Sequence, residues 1–152
     1  MPCVPTDAAQ PGEIRRLRPG DEALVISAAE LFDHAPRPEA TSKFLASETH
    51  HLLMAFDGEG DERHAVGFVS GVETTHPDKG TEMFLYELSV GESARNRGVG
   101  RALVGALAQV GRERGCYGMW VLTDDDNPAA VRAYTAAGGR LEPLTRLIAW
   151  EF

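Results

Sequence analysis

Cysteine is scarce in this sequence: Cys3 and Cys116 are the two present, and they form no metal-ligand or redox spacing. A disulfide framework, a structural zinc site and a dithiol redox centre are therefore not expected; reduced thiols in a cytoplasmic protein are. Long apolar runs are missing as well. None approaches the ~20 residues of a bilayer-spanning helix, so no membrane partner is expected. The opening stretch Met1–Gly12, MPCVPTDAAQPG, lacks the basic start and apolar centre of a secretory signal and reads as a flexible leader (residues 1–12). Positive charge is also in short supply: 15 Lys and Arg stand against 23 Asp and Glu, a formal net charge of -8. Tight nucleic-acid binding draws on many cations against phosphate, so nucleic acid is not expected as the main partner, whereas a cationic substrate is compatible with the balance. His50, His51, His64 and His76 fall near strand ends or turns without ligand spacing, and no metal is expected.

What is present is enough for one core. With 152 residues, 43% of them hydrophobic, and no linker, repeat or low-complexity block, residues 13–152 read as a single domain. Glu13–Arg18 alternates weakly, as an opening strand would. DEALVISAAELF (Asp21–Phe32) has helical spacing after Pro19-Gly20, and Pro38–Ser47 is a second short helix with Phe44 and Leu45 inward. His51–Phe56, Ala65–Thr74 and Glu82–Val90 then read as three strands of a meander, the first pair joined by DGEGDE, with Gly67 and Gly71 thinning one face of the second. A helix from about Val99 to Gly115, a buried strand Tyr117–Thr123, a helix after DDDNP and a closing Arg140–Phe152 of one or two strands complete the order. The result is an α/β layer with a mixed, mostly antiparallel central sheet flanked by helices.

The sharpest local signal is RNRGVGRAL. A strand ends, and Arg95, Asn96, Arg97, Gly98, Val99, Gly100 and Arg101 lead into a helix. Gly98 and Gly100 bring backbone close to a ligand, the first helical amides lack internal partners, and three arginines add formal charge. This is a pyrophosphate cradle, or a glycine turn with solvated arginines. A phosphate loop of the Walker type would need Lys and Ser/Thr where Arg101 and Ala102 stand; a dinucleotide fingerprint would need a small residue at Leu103.

Arg95, Gly98 and Gly100 match the pattern Gln/Arg-x-x-Gly-x-Gly/Ala, and Asn127, Ala130, Tyr134 and Gly138 match a second block at offsets of three, seven and eleven. With these two blocks and the preceding LYELSV, the chain resembles the GNAT family of N-acetyltransferases from Ile14 onward. One position departs: an aromatic usually follows the second block, where this chain has Gly139. Within the family, YELSV, the acidic TDDDNPAAVRAYTAAGG and the short length are similar to the aminoglycoside 3-N-acetyltransferases, whose comparable strand reads YDLAV with Asp in the place of Glu87.

The resemblance implies a GNAT fold and acetyl-CoA as cosubstrate. Backbone groups of Leu88, Ser89 and Val90 would lie along the pantetheine arm, residues 95–101 would hold the pyrophosphate, and Asn127 would stand near the cofactor. It also implies Tyr134 as the acid for the leaving thiolate; a core tyrosine on an alanine-rich helix face is the alternative. An amine acceptor arrives protonated, and neutralising a lysine-like ammonium near pH 7 costs about 4–5 kcal/mol, so a base is needed. Glu87 is the candidate, a carboxylate inside an apolar strand, placed by simple alternation on the face of Leu85 and Ser89; a structural ion pair is its alternative. Asp124, Asp125 and Asp126 exceed what a helix cap requires and, with Glu142, are candidates for attracting a cationic amine. The expected activity is direct acetyl transfer to a primary amine, an aminoglycoside first. A peptide or polyamine acceptor, or a non-catalytic acyl-CoA sensor, are the alternatives. A homodimer is the family's habit.

Overall fold

The hydrophobic meander of the sequence becomes the left four strands of one five-stranded sheet. The computed structural model describes residues 12–142 and 148–151. Its strands are β1 (Glu13–Arg16), β2 (His50–Asp57), β3 (His64–His76), β4 (Gly80–Val90) and β5 (Met119–Trp120), and they lie side by side in that order. β1 to β4 pair antiparallel, and β5 joins β4 in parallel. Helices α1 (Glu22–Ser27) and α2 (Pro38–Ala46) cover one face. The other face carries α3 (Val99–Glu113), with α4 (Pro128–Ala136) beside it. This is the expected mixed sheet between helical layers.

Two cores follow from strand alternation. Leu53, Val69, Met83 and Leu85 pack against Val99, Leu103, Leu107 and Val110 of α3, while Leu52, Met54, Phe56 and Phe68 pack against Val25, Leu31 and Leu45. Gly67 and Gly71 face α3 and let it sit close. A Cβ on Gly67 would come within 2.8 Å of the Ser89 carbonyl oxygen, whereas one on Gly71 would meet the side-chain ends of Leu107 and Met83 at 2.8 and 2.9 Å. A backbone oxygen in a paired strand gives way less readily than a methyl group. Gly67→Ala is therefore expected to cost about 1–3 kcal/mol in urea unfolding, and more than Gly71→Ala.

The sheet departs from the sequence reading in three places. First, Ser70 pairs with Glu87 and Gly71 with Leu85, so Tyr86 is an extra, bulged residue on β4. The bulge shifts the alternation by one. Leu85 faces α3, together with Leu88 and Val90 beyond the bulge. Glu87 shares the opposite face with Ser89, whose hydroxyl donates to the Leu31 carbonyl at 2.6 Å. Simple alternation, which grouped Leu85 with Glu87, is corrected here.

Second, the expected strand Tyr117–Thr123 is two residues long, paired only as Met83 with Met119 and Phe84 with Trp120. It is half-covered rather than buried: Met119 and Val121 pack partly against the α3 core, whereas Trp120 is 42% exposed and Leu122 44%. The ladder ends just short of the bulged Tyr86, where β4 changes direction. Third, residues 140–142 and 148–151 form no strand; residues 143–147 and 152 of the expected closing strands lie outside the described residues, as do residues 1–11 of the leader.

Candidate active site

Where β5 leaves β4, the stretch from Tyr86 to Val90 has β3 on one side and no described strand on the other. An unpaired strand edge offers peptide N–H and C=O groups to a peptide-like ligand in the manner of an added strand. Beside it opens a cleft of about 520 Å³. Its walls bring together Glu87, Leu88 and Ser89 from β4, Asp124 and Asn127 from the loop before α4, and Tyr134 from α4 itself. These six residues were all read from the sequence. Asp33, Tyr86, Phe68 and Leu122 also line the cleft and were not.

Glu87 makes no ion pair with any described residue, so its structural alternative has no partner here. It sits at the exposed rim. Surrounding protein nevertheless pushes its carboxyl above the ordinary range, by desolvation first and by the nearby Asp33 carboxylate second. Both make it a better proton acceptor than a free glutamate. Tyr134 is half-buried, and desolvation pushes its hydroxyl up, which keeps the proton on its oxygen near neutrality. The residue packs against the α3 core and also lines the cleft.

The second sequence block has a structural explanation. Asn127 is the N-cap of α4, its side-chain oxygen accepting the Ala130 N–H at 3.1 Å. Gly138, at φ 98°, ends the helix: its N–H donates to Thr135 O and that of Gly139 to Tyr134 O, a Schellman closure. A Cβ on Gly139 would stand 2.9 Å from that same Tyr134 oxygen, which is consistent with glycine where the family usually has an aromatic.

The arginine turn stands next to the cleft without lining it. Gly100 lies against Val90, Leu88 and Ala133 of α4. Asn96 at φ 61° and Gly98 at φ 78° are both left-handed, and Gly98 caps α3. Alternating hand along a short backbone turns successive N–H groups toward one point, a concavity suited to an anion. Ala102 N–H makes the first bond of the helix, to Gly98 O, so the amides of Val99, Gly100 and Arg101 precede the ladder. The Val99 side chain is buried in the core.

The three arginines divide. Arg101 and Arg95 are exposed, and Arg95 donates from Nε to the Val90 carbonyl at 3.3 Å. Arg97 is held by Asp57 at the end of β2, through contacts of 2.6 and 3.2 Å. That pair holds the Asp57 carboxyl below its usual range. Arg97 thus anchors the turn, a role that sequence spacing could not show because its partner lies 40 residues away.

The remaining acidic candidates scatter. Asp124 lines the cleft, while Asp125 and Asp126 are exposed outside it. Glu142 pairs with Arg140 at 2.7 Å and does not line it either. Among the described residues no group of three His, Cys, Asp or Glu is placed to hold a metal ion, and no helix is long and apolar enough to cross a membrane.

A strand edge with no described partner beyond β5, left-handed backbone at a helix start, and a carboxylate and a tyrosine facing one cleft are brought together here. The model of the Acetyltransferase (GNAT) family matches residues 20–138, and the chain belongs to that family. The mycothiol acetyltransferase of Rhodococcus jostii (strain RHA1) is 29% identical over 127 residues, 77% of this chain, and that of Rhodococcus opacus (strain B4) is 28% identical. The chain spans 41% of the length of each of these relatives. Among solved structures, the aminoglycoside acetyltransferase meta-AAC0020 from an uncultured soil metagenomic sample, in complex with sisomicin, superposes with a TM-score of 0.80 at 19% identity, covering 92% of this chain and 95% of that one. The soil-metagenome aminoglycoside acetyltransferase HMB0005 gives 0.73 at 25% identity, covering 91% and 98%.

Proposed function

We propose that this acetyltransferase uses acetyl-CoA to acetylate a primary amine of a polycationic small molecule, with aminoglycosides as the acceptor class and the 3-amine as the position modified. The observation that carries the reading is one cleft that holds Glu87, with no ion-pair partner among the described residues and its carboxyl pushed up by desolvation and Asp33, together with Tyr134 and two further carboxylates, Asp33 and Asp124. The YELSV strand supports the 3-amine. The aminoglycoside acetyltransferases among its structural neighbours support the acceptor class.

The left-handed turn at Asn96 and Gly98, the free amides of Val99 to Arg101 and the Arg101 charge fit a pyrophosphate, and the open edge of β4 fits the amide-bearing arm behind it. Acetyl-CoA would supply an acyl group activated as a thioester. Glu87 takes the proton from the acceptor's ammonium, directly or through a water, and so exposes the lone pair. Tyr134 holds a proton on its oxygen for the departing sulfur. Asp33 and Asp124 attract further ammonium groups of the acceptor, each weakly in water but together enough to orient it.

The test is a side-by-side rate measurement on aminoglycosides, spermidine, N-terminal peptides and cysteine-bearing amines. Aminoglycosides are expected to react fastest, with KM rising as salt is added. Asp124→Asn is expected to raise that KM several-fold with kcat little changed, and more than Asp125→Asn or Asp126→Asn, because only Asp124 lines the cleft. Preference for a peptide or thiol-bearing amine would overturn the acceptor class and leave acetyl transfer standing. Tight CoA binding without turnover of any amine would favour the sensor.

A further inference from the structure

A second groove, of about 350 Å³, lies away from the cleft and shares no lining residue with it. It is formed where β1 ends, α2 ends and β2 begins, and Arg16, Arg18, Arg114, Ser47, Glu48 and His50 are among its walls. Three guanidinium groups of a chain with net charge -8 gather here.

Arg114 is accounted for. It donates to Glu73 at 2.6 and 3.4 Å and to the Glu48 carbonyl at 3.2 Å, and it stands at the C-terminus of α3, where a cation is favoured. Arg16 is not. Its Nη2 lies 2.6 Å from Nδ1 of buried His51. A guanidinium can only donate, so that ring nitrogen accepts and the His51 proton sits on Nε2, which faces Glu73 at 2.7 Å. Burial also pushes the His51 imidazole down, toward the neutral form. The partner of Arg16 is thus an uncharged ring, and its remaining donors meet no described carboxylate.

Glu73, whose side chain is largely covered, has both oxygens taken by His51 and Arg114. The Arg18 guanidinium makes no ion pair with any described residue. Glu48, exposed on the rim, is a groove-lining carboxylate and makes no described ion pair either. Arg16 is half-buried, and its charge is disfavoured by desolvation, then by Arg18, then by Arg114. Like charges held together in a concave site with spare donors are stabilised by an anion that spans them.

We propose that this groove binds a small oxyanion, a phosphate or a carboxylate group, with Arg16 and Arg18 as its principal ligands and Arg114 beside them. The site is independent of the acyl-transfer reading. Free phosphate could also enter the turn at Asn96–Arg101, so the experiment must locate binding. Amide chemical shifts of the full chain are followed while inorganic phosphate, and separately citrate, is added at constant ionic strength held with chloride. Saturable shifts are expected at Arg18, Ser47 to His50 and Arg114, and the stronger of the two anions identifies the ligand chemistry.

Arg18→Gln, an exposed change that leaves the His51 network in place, is expected to weaken the groove response at least about threefold, and Arg16→Gln with Arg18→Gln about tenfold or more. Shifts confined to Asn96–Arg101, a response that chloride reproduces, or an Arg18→Gln protein that binds like the parent would each overturn the proposal.

Discussion

Glu87→Gln is expected to lower kcat/KM near neutral pH by between about 10²- and 10⁴-fold, the range for loss of a general base. The amide keeps the shape of the carboxyl and removes its basicity. Activity of the variant should climb at high pH, where the acceptor supplies its own free amine. The parent should show an ascending limb governed by Glu87, placed above that of an ordinary glutamate because desolvation and Asp33 both raise it. Asp33→Asn removes the second of these causes, so the limb should move to lower pH.

The sign for stability is opposite to that for catalysis. A carboxyl whose folded pKa lies above its unfolded value binds more protons when folded, so its ionisation opposes folding as pH rises through that window. Glu87→Gln should therefore unfold at the same or slightly higher temperature than the parent at neutral pH, and show no such gain at pH values below the unfolded pKa. A Gln variant with parental turnover, or one that loses activity only by unfolding, would remove Glu87 from the chemistry.

How much of this was legible in the residues depended on how local its cause was. The arginine turn and the Asn127–Gly138 block could be read because each is a helix terminus: glycine at a left-handed position, asparagine as cap and glycine as closure are decided within a few residues. The strand order followed from alternation and turns, which are equally local. The bulge at Tyr86 was not legible. Nothing in FLYELSV marks the extra residue; it is set by which β3 residues pair across from it. Its effect is large, since it carries Glu87 away from the α3 face on which Leu85 is buried. Asp33, Asp57 and the Arg16–His51–Glu73 chain were invisible for the same reason, because their partners are distant in sequence. The short β5 failed differently. Apolar composition over Tyr117–Thr123 suggested burial, but its ladder stops short of the bulge in β4, and only alternate side chains are covered: Met119 and Val121 pack partly against the α3 core, while Trp120 and Leu122 are exposed.

Arg101→Glu is expected to weaken acetyl-CoA binding more than about tenfold, because a favourable charge beside the proposed pyrophosphate site becomes a repulsive one. Arg97→Glu should weaken it too, for another reason. It places a second carboxylate against Asp57 and releases the turn from the end of β2. The two causes separate on a charge-reversed pair. Asp57→Lys combined with Arg97→Glu restores an ion pair across the same gap while leaving a negative charge at position 97. If Arg97 serves to anchor the turn, calorimetry should find much of the affinity recovered in the double variant relative to Arg97→Glu alone. If its charge acts on the phosphate, the double variant should bind no better than the single one. Arg101 has no described ion-pair partner, so no such exchange can rescue Arg101→Glu. An Arg101→Glu protein that binds acetyl-CoA as the parent does would place the cradle elsewhere on the chain. The backbone of the turn, with Asn96 and Gly98 in the left-handed region, would then be explained by helix capping alone.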